Sequence, residues 1–168
     1  MESVEAFLAH AIRIEQEAAL RFGQLADAMT TQGNREVGRL FRQLADYSKL
    51  HLADARERAG YRDLPPLRPE DYTWPDIESP EAAAIWAADP MLGREQALQV
   101  ALEAEQGGLD YYTGVMKATI DPELRALAKE FADEEAGHVA ELQRWIELHR
   151  EGKPLPVSYT HLTLPTSE

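Results

Sequence analysis

The 168-residue chain contains no cysteine. That excludes disulfides, zinc ribbons and a rubredoxin-type four-cysteine iron site within it. Basic residues are also few: 17 Lys and Arg stand against 30 Asp and Glu, a formal net charge of -13. Nucleic acid is bound through clustered Lys and Arg, so it is not an expected partner, and an anionic membrane surface is disfavoured on the same ground. There is no long apolar run and no N-terminal signal segment, since Met1 leads straight into an amphipathic pattern. The expected compartment is the cytoplasm. A content of 44% hydrophobic and 28% charged residues describes an ordinary globular protein, and the length allows one domain with a substantial core.

What is present is helical periodicity. Apolar residues recur at three- and four-residue steps over about residues 2–30, 34–59, 90–118 and 122–150, which predicts four long helices. Gln32-Gly33-Asn34 separates the first two, and Gly60 stops the second. Pro65, Pro66, Pro69 and Pro75 exclude a continuous helix over 61–79. Ser79-Pro80 reads as the start of a short helix to about Ala88, and Asp89-Pro90 as the start of the third long one. Asp121-Pro122-Glu123 caps the fourth helix, which Gly152 and Pro154-Leu155-Pro156 end. A connector this long between two helix pairs predicts a crossover rather than a tight hairpin.

Each long helix carries a polar residue where its stripe should be apolar. Glu15 lies amid Val4, Leu8, Ala11, Phe22 and Ala26, and Glu105 amid Leu98, Ala101, Leu109, Tyr112 and Met116. His51 shares a face with Leu40, Leu44 and Ala55. Glu135 and His138 are three apart, hence neighbours on one helix face, on the side of Leu124, Leu127, Phe131, Leu142 and Trp145. Buried charges need partners or a metal, and such local inconsistencies tend to mark functional sites. The bland alternative is a buried salt-bridge network without metal. Tyr47, Tyr111 and Tyr112 read as core or rim aromatics, and His10, His149 and His161 form no constellation.

These polar residues repeat. Ala11 to Gln16 with Phe22 aligns with Ala101 to Gln106 with Tyr112 at an offset of 90. Leu44 to His51 aligns with Phe131 to His138 at an offset of 87. The chain is thus a duplicated helical hairpin. One inward Glu on each of two helices, with Glu-x-x-His on the others, is the pattern of di-iron and di-manganese carboxylate bundles. The chain resembles the ferritin-like superfamily and, within it, the rubrerythrin-type di-iron domain.

That resemblance implies an all-α four-helix bundle over residues 1–152, with a long crossover between the second and third helices. It implies Glu15 and Glu105 as terminal ligands, Glu135 as a bridging carboxylate, and His138 and His51 as terminal nitrogen ligands. Two irons are expected, with one iron or manganese as the alternatives. The implied activity is peroxide reduction or Fe(II) oxidation. Peroxide, O2 or Fe(II) would be the small substrates, an external protein the electron donor, and a homodimer the assembly. No catalytic residue is assigned. The departure from the pattern is Ser48, which stands where the second bridging Glu belongs. A serine cannot replace a charged bridge between two hard cations. An asymmetric site, a single-metal site, or a structural or binding bundle with a degenerate site therefore remain open, with Glu134, Glu141 and Asp54 as possible substitutes. Iron storage would further require a closed multi-subunit shell.

Residues 153–168 form a tail outside the helical pattern. From about Val157, Val-Ser-Tyr-Thr-His-Leu matches the translation of a transposon-end adapter used in sequencing libraries. The tail is expected to be non-native from there and is set aside in reading the fold. An intact genomic copy of the gene carrying the same tail would overturn this reading.

Overall fold

A computed structural model of the chain describes residues 3–66, 68 and 93–154. Four helices run through them: α1 Val4–Thr31, α2 Arg35–Ala59, α3 Arg94–Ala118 and α4 Pro122–Arg150. Their caps explain their limits. The Ser3 side chain accepts from Ala6 N–H at the start of α1, and Asp121 Oδ1 accepts from Glu123 and Leu124 ahead of α4, with Pro122 in the first turn. Gly33, at φ 84°, closes α1: its N–H reaches Thr30 O while Asn34 N–H reaches Met29 O. This paired arrangement requires the left-handed backbone that glycine adopts freely.

One predicted boundary shifts. Helix α3 begins at Arg94, not near residue 90, because Gly93 is extended (φ -78°, ψ 174°) and the Gln96 side chain reaches back to its N–H. The predicted short helix over 80–88 and the Asp89-Pro90 start lie outside the described residues, as does the tail from residue 155.

Helix α1 packs along α2, and α3 along α4, giving two hairpins that face each other. Two apolar clusters form between them. One gathers Phe22, Phe41, Leu44, Leu98, Leu142 and Trp145; the other gathers Phe7, Ile14, Tyr112, Leu124 and Phe131. In the first, Phe22 and Phe41 stack at 5.9 Å; in the second, Phe7 and Tyr112 each meet Phe131 edge-on at 5.3 Å. Helices α2 and α3 both run from the first cluster to the second, so they are parallel. A parallel α2 and α3 is the arrangement that the predicted crossover requires; most of the connector lies outside the described residues. The fold is an all-α four-helix bundle.

Within the first hairpin, α1 and α2 approach closely at Gly38. A Cβ there would lie 2.5 Å from Thr30 Oγ1 and 3.3 Å from the Ala26 carbonyl oxygen. Alanine gains roughly 1 kcal/mol of helix propensity over glycine, but the opposing atoms include α1 backbone and a hydroxyl already bonded to Ala26 O. Overpacking should therefore win. Gly38→Ala is expected to destabilise the bundle by about 1–2 kcal/mol, measured as a lower urea midpoint at unchanged slope; a neutral or stabilising result would mean that the hairpin can open at no cost.

Candidate metal centre

The two apolar clusters are separated by one polar layer, and every helix contributes to it. Passing from one cluster to the other, α1 places Glu15 between Ile14 and Ala18, and α3 places Glu105 between Ala104 and Tyr111. Helix α2 places Ser48 and His51 between Tyr47 and Ala55, and α4 places Glu135 and His138 between Ala132 and Leu142. All six polar side chains are buried, Glu135 most deeply at 1% exposure.

The five sequence-predicted candidates come together as two groups sharing one member. Glu15, His51 and Glu135 form one, and Glu105, His138 and Glu135 the other, with ligand-type atoms inside each group within 4.8 Å of one another. His51 Nδ1 lies 3.3 Å from Glu15 Oε1 and 3.6 Å from Glu135 Oε1. His138 Nδ1 lies 3.4 Å from Glu105 Oε2 and 3.5 Å from Glu135 Oε2. Glu135 thus turns one oxygen toward each histidine. The halves match as the internal repeat requires: each histidine faces the Glu of its own hairpin and shares the central carboxylate. The repeat extends outward too. Asp54 accepts from Arg58 one turn on (3.1 Å), and at the equivalent positions Glu141 accepts from Trp145 (2.8 Å).

Those outward bonds correct one expectation. Glu141 and Asp54 are engaged with Trp145 and Arg58 and belong to neither group, so they do not substitute for the missing bridge. Glu134 also stays outside both groups and is only half-buried. Of the other histidines, His10 is buried away from the layer, its Nδ1 2.7 Å from Ala6 O and its ring stacked on Tyr111.

Tyr47 is where the structure adds most to the expectation of a core aromatic. It is a core aromatic, but its hydroxyl is hydrogen-bonded to His138 Nε2, and its ring contacts both histidines, with centroids 4.7 Å from His51 and 4.4 Å from His138. Its spacing of four from His51 put it on the inward face. Nothing in the sequence said that its hydroxyl would cross the bundle to α4.

Electrostatics follow from burial. Desolvation alone would lift the Glu105 carboxyl, but hydrogen bonding from Glu135 and His138, together with the charges on both histidines, holds it low, at about 2. His51 loses from desolvation and gains more from the Glu15 carboxylate beside it, so its pKa is raised. The Tyr47 hydroxyl is pushed far up by burial and by the Glu105 and Glu135 carboxylates, and stays a phenol. Ionised Glu105 only accepts, so in the metal-free protein the His138 Nδ1–H donates to it.

A buried layer of inward Glu and His at equivalent positions of four antiparallel-paired helices defines a ferritin-like bundle. The chain is similar to an uncharacterised conserved protein from Magnetospirillum magnetotacticum MS-1, known from a crystal structure at 2.00 Å resolution: 36% of residues are identical, 92% of this chain and 97% of that one are covered, and the TM-score is 0.69. The chain belongs to the same family of conserved proteins, a ferritin-like family. No protein-family model matches it, and no curated protein does.

The lowered Glu105 pKa sets a pH dependence for chelator-treated protein. Ionised Glu105 contributes stability that is fully present above the unfolded carboxyl value of 4.5 and is lost as pH falls through about 2. Urea midpoints measured from pH 5 to pH 2 should therefore fall, and Glu105→Gln should flatten that fall. An equal slope in the variant would show that Glu105 is not ionised in the folded layer.

Proposed function

We propose that this is a non-haem di-iron carboxylate protein of the rubrerythrin type, reducing peroxide or oxidising Fe(II). One observation carries the reading: a buried carboxylate, Glu135, offers a separate oxygen to each of two Glu/His groups. Three carboxylates and two imidazole nitrogens suit first-row cations such as Fe(II) or Mn(II), and without cysteine there is no soft ligand to select otherwise. Glu15 and His51 would hold one ion, Glu105 and His138 the other, and Glu135 would bridge them. Bound iron would supply electron exchange with O2 or peroxide.

The chain's own residues have three tasks in this reading. Glu135 keeps the two ion positions at one carboxylate's span. The histidines present Nδ1, so each must hold its remaining proton on Nε2. The apolar clusters above and below keep bulk water from the layer and strengthen every charge interaction inside it. Electrons for peroxide reduction would come from an external protein donor, in the cytoplasm. No helix among the described residues is long and apolar enough to cross a membrane.

Ser48, buried in the layer where a second bridging carboxylate would stand, favours a single-metal reading. Two dications would face three carboxylates, leaving one positive charge uncompensated. The experiment that separates the readings is iron content per chain after anaerobic Fe(II) loading, with the optical change on adding O2 or peroxide. Two irons are expected in the wild type, about one in Glu105→Ala, and none in Glu135→Ala, because only Glu135 serves both groups. One iron in the wild type would establish a half-site. No iron would leave a structural bundle.

A further inference from the structure

The two halves of the layer match in their inner groups but not behind their histidines. The repeat that pairs His51 with His138 pairs Tyr47 with Glu134, since both lie four residues before their histidine. The cross-bundle neighbour of His138 is therefore a phenol: Tyr47, on α2, is hydrogen-bonded to Nε2. At the matching place on α4 stands Glu134, a half-buried carboxyl whose proton affinity burial raises and the nearby His51 lowers. Nε2 of His51 is buried and makes no hydrogen bond among the described residues.

Resting on the metal-centre reading above, we infer that Tyr47 is the positioning residue for one metal position only, that of His138. Nδ1 of His138 faces Glu105 and Glu135, so an ion bound among them takes Nδ1. Nε2 must then carry the ring proton, and the group within its reach is the Tyr47 hydroxyl, which accepts it. In the metal-free, neutral ring the direction reverses: Nδ1–H points to the carboxylates and Tyr47 O–H donates to Nε2. A hydroxyl serves both states because it donates and accepts; a carboxylate, which only accepts, would serve one. The ring is also held physically, since Tyr47 is buried and stands edge-on to His138 at 80°. Among the described residues no such phenol is hydrogen-bonded to His51. The two ion positions consequently differ in affinity although their inner ligands are the same.

Co(II) titration of the full chain, followed by visible absorption against a competing chelator, tests this. The wild type should bind two Co(II) in resolvable steps. Tyr47→Phe should weaken one step by about 10–100-fold, the usual effect of removing the partner behind a metal-bound histidine, and leave the other unchanged. Tyr112→Phe, which removes a buried hydroxyl from the apolar cluster, should change neither. Two unchanged steps in Tyr47→Phe, or two equally weakened ones, overturn the inference while leaving the metal centre standing; no Co(II) uptake by the wild type overturns the metal centre itself. A phenolate-to-Fe(III) absorption band in wild-type protein that vanishes in Tyr47→Phe also overturns it, by making Tyr47 a ligand. If Tyr47→Phe does not fold, nitrogen NMR of Zn(II)-loaded wild type decides: a hydrogen-bonded, slowly exchanging Nε2 proton on His138 is expected, and metal on Nε2 overturns the inference.

Discussion

Three carboxylates buried side by side in the middle of a helical bundle are the constraint on which the rest of this protein depends. Ionised groups taken out of water are tolerated only when paired and hydrogen-bonded. Here the pairing is mutual: Glu15 with His51, Glu105 with His138, and Glu135 with both histidines at 3.5–3.6 Å. None of these groups is satisfied by its own helix alone; each needs the helix opposite. Glu135 and His138 share α4, but their other partners come from α2 and α3. The hairpins are held in register by the contacts that cross between them, Glu135 with His51 and Tyr47 with His138, which a shift of one turn would break.

The two apolar clusters supply what the layer cannot. They carry the hydrophobic stabilisation, of about 25 cal/mol for each Å² of apolar surface removed from water. They also cap the polar layer from both ends. Small residues let the helices close over it: Ala11, Ala18, Ala101 and Ala104 are all completely buried. Surface ion pairs such as Arg62 with Glu5 and Glu123 join helix ends at partly exposed positions, where solvent screening leaves each with little weight. The clusters and the register hold the site; the surface charges adjust it.

Duplication explains both the symmetry of the layer and its departures. Equivalent positions kept Glu15 with Glu105 and His51 with His138, and even the Asp54–Arg58 contact has its counterpart in Glu141–Trp145. The departures cluster on two adjacent positions, where Tyr47-Ser48 on α2 stands against Glu134-Glu135 on α4. One of them removes a carboxylate from the layer; the other puts a phenol behind a histidine. An asymmetric layer is the direct consequence.

The amino-acid sequence by itself determined the helices, their stripes and the five inward candidates, because a period of 3.6 residues and a polar residue on an apolar stripe are local properties. The duplication was legible for the same reason, and with it the crossover, since 34 residues separate α2 from α3 and α3 repeats α1. The start of α3 was not legible: a proline signature competed with an extended glycine three residues later, and Gly93 with Gln96 decided the end. The resemblance already implied Glu135 as the shared carboxylate; only the tertiary structure showed that it turns one oxygen to each histidine, and that Asp54 and Glu141 turn to Arg58 and Trp145. It alone brought the Tyr47 hydroxyl to His138, 91 residues away in the chain. Periodicity tells which face of a helix a residue is on; which atom it meets across the bundle depends on the register of two hairpins, which is set by packing that no local pattern records.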